Sequence, residues 1–153
     1  MKITVVHQGR TNDKSIEVLE KDYLDRLSHY ANVQHICLPD SKGQMSVASL
    51  KLIEEENLFK LIKPADIVLL FDEKGKMYSS VEFSQFLQKQ FMAGKNIFFV
   101  TGGAFGFSEN VYKRANGLIS LSSMTFTHQM VRAIIAEQLY RAFTILRNEK
   151  YHH

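Results

Sequence analysis

The stretch that decides the fold is Ile97-Phe98-Phe99-Val100-Thr101-Gly102-Gly103-Ala104-Phe105-Gly106. Four apolar residues run straight into glycines. Such a run reads as a buried strand, and glycines directly after a strand let backbone N–H groups come close to a ligand. A second strand is predicted over residues 118–121. It leads into Ser120-Leu121-Ser122-Ser123-Met124-Thr125-Phe126-Thr127-His128, a loop of short hydroxyl side chains that opens a long predicted helix over residues 129–147. Two such loops, each following a strand, form one pocket at the carboxyl ends of parallel strands. The terminal Tyr151-His152-His153 is placed to close that pocket.

Working back towards the start, residues 2–7 and 33–38 read as strands, the second stopped by Pro39. Residues 66–71 (Asp-Ile-Val-Leu-Leu-Phe) form the clearest central strand, followed by a glycine-containing turn over 72–77. Between them lie predicted helices over 13–30, with Ile16, Leu19, Tyr23, Leu27 and Tyr30 at helical spacing, and over 46–62, with Ser46 as N-cap. A polar loop around Lys42-Gly43 precedes the latter. Further helices are expected over 79–92 and 109–115. Strands bounded by helices on both sides imply α/β architecture: a single domain over residues 1–153, with a mostly parallel sheet covered by helices on both faces. The last helix carries Met130, Val131, Ile134, Ile135, Leu139, Phe143 and Leu146, a stripe broad enough to serve a subunit interface as well as the sheet.

Composition narrows the function classes. The single cysteine, Cys37, offers no internal disulfide, and no run approaches the length of a membrane span, so a soluble, cytoplasmic protein is expected, with no membrane partner. Residues 1–100 balance 13 basic against 13 acidic side chains, whereas residues 101–153 hold six against three. The positive excess therefore lies with the loops, as an anionic partner such as RNA would require. No Cys, His and carboxylate set has metal-ligand spacing along the chain, so no metal is expected. There is no nucleophile elbow and no P-loop lysine.

Each motif has an ordinary reading beside the functional one. Gly102-Gly103-x-x-Gly106 lacks the dinucleotide-binding spacing and serves equally as a tight strand-to-helix turn. The Ser122–Thr127 hydroxyls hold a ligand's polar edge or satisfy turn backbone, and Thr127 can simply cap the last helix. His128 stands near that helix start, where a neutral imidazole accepts a proton, or it is a plain surface histidine. Arg132 and Arg141 bind phosphate or pair with Glu137.

Taken together, Gly102-Gly103-x-x-Gly106, Ser120-Leu121-Ser122-x-Met124-Thr125-x-x-His128-x-x-Val131-Arg132, Glu137-x-Leu139-Tyr140-Arg141-Ala142 and Tyr151-His152 resemble the RlmH family over the full chain. Lys150 stands where that family usually has proline before Tyr-His, Thr127 where it often has proline before the motif histidine, and His153 where a basic residue is common. The resemblance implies a SPOUT-type fold with a C-terminal trefoil knot, and a homodimer. It also implies S-adenosylmethionine as methyl donor, without a metal, and methylation of N3 of a pseudouridine in helix 69 of 23S ribosomal RNA on the assembled ribosome. By motif, the donor lies against Phe71, Gly103, Ser122, Ser123, Met124, Thr125, Phe126 and Thr127. His128, Tyr151 and His152 are the implied candidates for catalysis, with Arg132, and Arg132, Arg141 and Lys150 are the implied RNA contacts. A SPOUT enzyme for another RNA position and a non-catalytic ribosome-binding protein with a vestigial donor pocket are the rival readings.

Overall fold

The computed structural model describes residues 2–41 and 43–152. Lys42 of the polar loop and His153 of the tail therefore lie outside the described residues. Five strands form one all-parallel sheet in the order β2-β1-β4-β3-β5. They are β1 (Ile3–Gln8), β2 (Val33–Leu38), β3 (Ile67–Met77), β4 (Ile97–Thr101) and β5 (Gly117–Ser120). The helices are α1 (Lys14–Ser28), α2 (Val47–Phe59), α3 (Ser80–Met92), α4 (Glu109–Arg114) and α5 (Met130–Leu146), and a 3-10 turn spans Lys150–His152.

Strand alternation builds two cores. Ile3, Val5, Ile67, Leu69, Phe71, Ile97, Phe99 and Ile119 face α1, α3 and α5; Val6, Val68, Leu70, Phe98 and Val100 face α2 and α4. β4 is buried at all five positions because it lies between β1 and β3 with helices on both sides. Local signals fix the helix starts. Asp13 accepts from the Ser15 and Ile16 amides, Ser46 caps α2, and Ser79 with Glu82 forms a complete capping box.

Two expectations are corrected. Residues 72–77 are not a free turn: β3 runs on to Met77, and Ile119 of β5 stands opposite both Phe71 and Lys76. Residues 72–75 are therefore looped out of an otherwise continuous pairing. Gly75 lies so close over β5 that a Cβ there would come within 2.5 Å of the Ile119 backbone. In α1 the inward face is Glu20, Leu24 and Leu27, whereas Leu19 is 46% exposed. Of the apolar stripe of α5, Ile135, Leu139 and Phe143 are buried inside the protomer against α1 and α3, whereas Val131, Ile134 and Leu146 are half-buried and Met130 is exposed.

Candidate active site at the carboxyl ends of three strands

The looped-out segment of β3 and the loops after β4 and β5 enclose a cleft of about 750 Å3. Its walls combine apolar residues (Phe71, Phe107, Ile119, Leu121, Val131) with the glycine turn at 102–106 and the hydroxyl loop. This mixture, and a volume within the usual range for small-molecule sites, fits a nucleoside-sized ligand. Gly106 has φ +72°, in the left-handed region, and its amide donates to the Gly103 carbonyl at 3.1 Å, which turns the chain sharply at the cleft edge.

The structure brings most of the expected donor residues together. Phe71, Gly103, Ser122, Met124, Thr125, Phe126, Thr127 and His128 all line the cleft; Ser123 is exposed and is not part of the lining. Several hydroxyls of the loop also have structural work. Ser120 donates to the Ser122 carbonyl at 3.0 Å, Ser122 Oγ accepts from the Met124 amide at 2.9 Å, and Thr127 Oγ1 accepts from the Met130 amide at 3.1 Å. The loop is thus pre-shaped by its own short side chains, and α5 begins at Met130 rather than at Gln129.

Three lining residues were missed from sequence because the 72–77 segment reads as a plain turn: Asp72, Glu73 and Lys74. The Tyr112 hydroxyl donates to Asp72 Oδ2 at 2.6 Å across the cleft floor. Burial, and then this bond, push the Tyr112 hydroxyl up to about 12. The pairing of Asp72 with a tyrosine forty residues away leaves no spacing signal.

Arg132 is not a free phosphate contact. It is 2% exposed, and its guanidinium donates to the carbonyls of Gln8, Gly9 and His128 and to Thr11 Oγ1, at 2.7 to 3.2 Å. It ties the start of α5 to the β1–α1 connection. Arg141 donates from Nε and Nη2 to Glu137 Oε1 and lies 4.7 Å from the centre of the Tyr151 ring. Tyr151 also donates to Glu137 Oε1 at 2.9 Å, stands 3.2 Å from the Tyr23 hydroxyl and packs edge-on against Tyr140. Burial, with these two polar neighbours, raises the Tyr151 hydroxyl above its ordinary value, so it is held protonated. The tail therefore docks on α5 and α1. Neither Tyr151 nor His152 lines the cleft of its own protomer, contrary to the expected closure, and Lys150 is exposed beside them.

A parallel sheet whose strand ends converge on one glycine- and hydroxyl-lined cleft defines an α/β protein with a small-molecule site at its sheet edge. The family model described as predicted SPOUT methyltransferase matches residues 1–152. The chain belongs to the SPOUT methyltransferases, in the family of ribosomal RNA large subunit methyltransferase H. The protein of that name from Christiangramia forsetii is 49% identical over 100% of this chain and 99% of its own length. The one from Cytophaga hutchinsonii is 46% identical, with 100% of both chains covered. Among solved structures, a probable methylase family protein from Haemophilus influenzae superposes with TM-score 0.59 at 12% identity, over 97% of this chain and 67% of that one. A protein solved in a study of 2′-OH methylation of C/U34 on tRNA gives TM-score 0.52 at 13% identity, over 97% and 98%. These two likenesses concern the fold. Among the described residues, no helix is long and apolar enough to cross a membrane.

Proposed function

We propose that this protein, as a single domain over residues 1–153, methylates N3 of a pseudouridine in helix 69 of 23S ribosomal RNA, acting as a homodimer on the assembled ribosome in the cytoplasm. The observation that carries the reading is the cleft, in which Phe71 of β3, the Gly102–Gly106 turn after β4, and Ser122 and residues 124–127 after β5 meet. The close relatives' shared name, ribosomal RNA large subunit methyltransferase H, supplies the substrate class. The C-terminal knot belongs to the same proposal; it rests on the resemblance.

When bound, S-adenosylmethionine supplies a methyl group on an activated sulfonium. The chain's own residues do the rest. Phe71, Leu121 and Val131 exclude water from one wall, while the turn at Gly103 and the hydroxyl loop offer backbone amides and carbonyls to polar edges. The ring nitrogen must lose its proton at or before attack, and a positioned base contributes about 10²–10⁴-fold to such a step. His128, exposed at the cleft rim, is the base candidate within one protomer. Tyr151 is held protonated by burial, with Tyr23 and Glu137 beside it, and serves instead to dock the tail, with His152 and Lys150 as the tail's RNA-side residues. Lys74 at the cleft mouth is a further candidate for a phosphate.

The test is incorporation of label from radiolabelled S-adenosylmethionine into ribosomes lacking the modification, followed by nucleoside analysis. Labelled N3-methylpseudouridine is the expected product. Another methylated nucleoside would move the activity to a different RNA position. Intact donor binding without any label would favour the non-catalytic reading.

A further inference from the structure

Glu20 occupies an inward position of α1 where an apolar side chain would be expected, and it does not stand alone. His7 of β1 is fully buried beside it, and His35 of β2 reaches the same point from the sheet edge. Neighbouring positions pair β1 with β2 in parallel, placing His7 opposite Cys37 and Val5 opposite His35. Sequence spacing hides this cluster, because its members sit on three elements that only the fold brings together.

The contacts are at hydrogen-bond distance but poorly aligned for hydrogen bonds. Glu20 Oε1 lies 2.7 Å from His7 Nε2 and 3.2 Å from His35 Nε2, yet neither Glu20 Oε1 nor His7 Nε2 has a hydrogen-bond partner of acceptable angle, and both atoms are buried. The three donor atoms fall within 4.8 Å of one another. Donors around a tetrahedral zinc stand about 3.3 Å apart for nitrogen and oxygen. The His35–Glu20 distance is 3.2 Å, and the His7–Glu20 contact of 2.7 Å would open by about 0.6 Å on binding. Outer partners fix the remaining atoms as they do in metal sites. Thr101 Oγ1 holds His7 Nδ1 at 2.7 Å, and Thr11 donates to Glu20 Oε2 at 3.0 Å and accepts from Arg132 at 2.9 Å.

We propose that His7, Glu20 and His35 bind one divalent cation of the zinc class, with one coordination position left open at the sheet edge. The site is structural: it clamps β1, β2 and α1 directly behind the cleft. Thr101 both holds His7 and lines the cleft, so the ion braces the cleft floor. Two imidazoles and a carboxylate suit zinc or cobalt better than magnesium or calcium.

The experiment is metal analysis of the full chain, prepared without an affinity tag and dialysed, together with Co2+ titration followed by absorption. The expected result is a single zinc ion retained per chain and a higher Tm with zinc. Co2+ should give visible bands of tetrahedral intensity. His35→Gln, at a partly exposed edge position, should weaken Co2+ binding by at least about tenfold while circular dichroism stays unchanged. A variant truncated after Tyr151 should bind as the intact chain does, which separates the site from the terminal histidines. Wild-type protein retaining less than about a tenth of an equivalent and giving no tetrahedral Co2+ bands would overturn the proposal. So would His35→Gln folding normally with undiminished binding.

Discussion

At the scale of single residues, two arginines that look interchangeable in the sequence have different work. Arg132 is enclosed, and each of its four hydrogen bonds goes to an atom of its own chain. Arg132→Met would strand several acceptors, each costing about 1–3 kcal/mol when buried, and should lower stability by about 3–5 kcal/mol in urea unfolding. Arg141→Met removes a half-buried i,i+4 pair with Glu137 and should cost about 1 kcal/mol, while loosening the tail enough to expose it to proteolysis. An Arg132→Met protein of normal stability that has lost RNA binding would return that residue to a phosphate role. Tyr112 gives a pH-dependent test. Its folded value of about 12 lies above the unfolded one, so its contribution is present below about pH 10 and is lost as pH rises towards 12. Tyr112→Phe should therefore flatten the fall in Tm over that interval, by comparison with wild type. The chemistry-bearing types in 102–106 and 120–128 were legible because glycines and short hydroxyls after strands have local causes. The roles of Arg132 and Glu20 were not, because burial depends on which elements close over them.

At the scale of elements, strand and helix order could be read almost throughout, since caps such as Asp13, Ser46 and Ser79 and the apolar runs of β3 and β4 act locally. The segment 72–77 failed because Gly75 signals a turn in isolation. Here the glycine is demanded by a close approach to β5 instead. Two glycines, Gly75 against β5 and Gly103 in the cleft wall, make the distinction measurable. An added Cβ at Gly75 meets the Ile119 backbone at 2.5 Å, which cannot move aside without breaking the β3–β5 ladder. Gly75→Ala should destabilise the fold by about 3 kcal/mol or more and abolish donor binding with it. At Gly103 the added Cβ would meet the Glu54 carboxylate at 2.7 Å, the end of a flexible side chain. Gly103→Ala should keep the Tm within a few degrees and weaken only the donor, as read by calorimetric titration. Equal loss of stability in both variants would show that Glu54 is held as firmly as backbone.

At the scale of the whole molecule, the cleft and the tail occupy different stretches of α5. His128 precedes the helix at the cleft rim, whereas Tyr151 is docked at Glu137, nine residues on and about 13 Å along the axis. One protomer therefore does not bring His128 and the tail to the same point in this arrangement. If both serve one reaction, the tail of a second copy must approach the cleft of the first. Exposed Phe105, Met124, Phe126 and Met130, all at or beside the cleft mouth, are apolar enough to be covered by it. A symmetric dimer makes this testable by complementation. His128→Ala carries a sound tail, and a variant with Tyr151→Phe and His152→Ala carries a sound cleft. Each alone should methylate at a small fraction of the wild-type rate while donor binding stays within a few fold. After co-expression, half of the dimers are mixed, and each mixed dimer pairs one sound cleft with one sound tail. The recovered rate should then be about a quarter of wild type. If each site is instead completed by its own chain's tail swinging across, every site in the mixture carries a lesion and the rate stays at the level of the single variants.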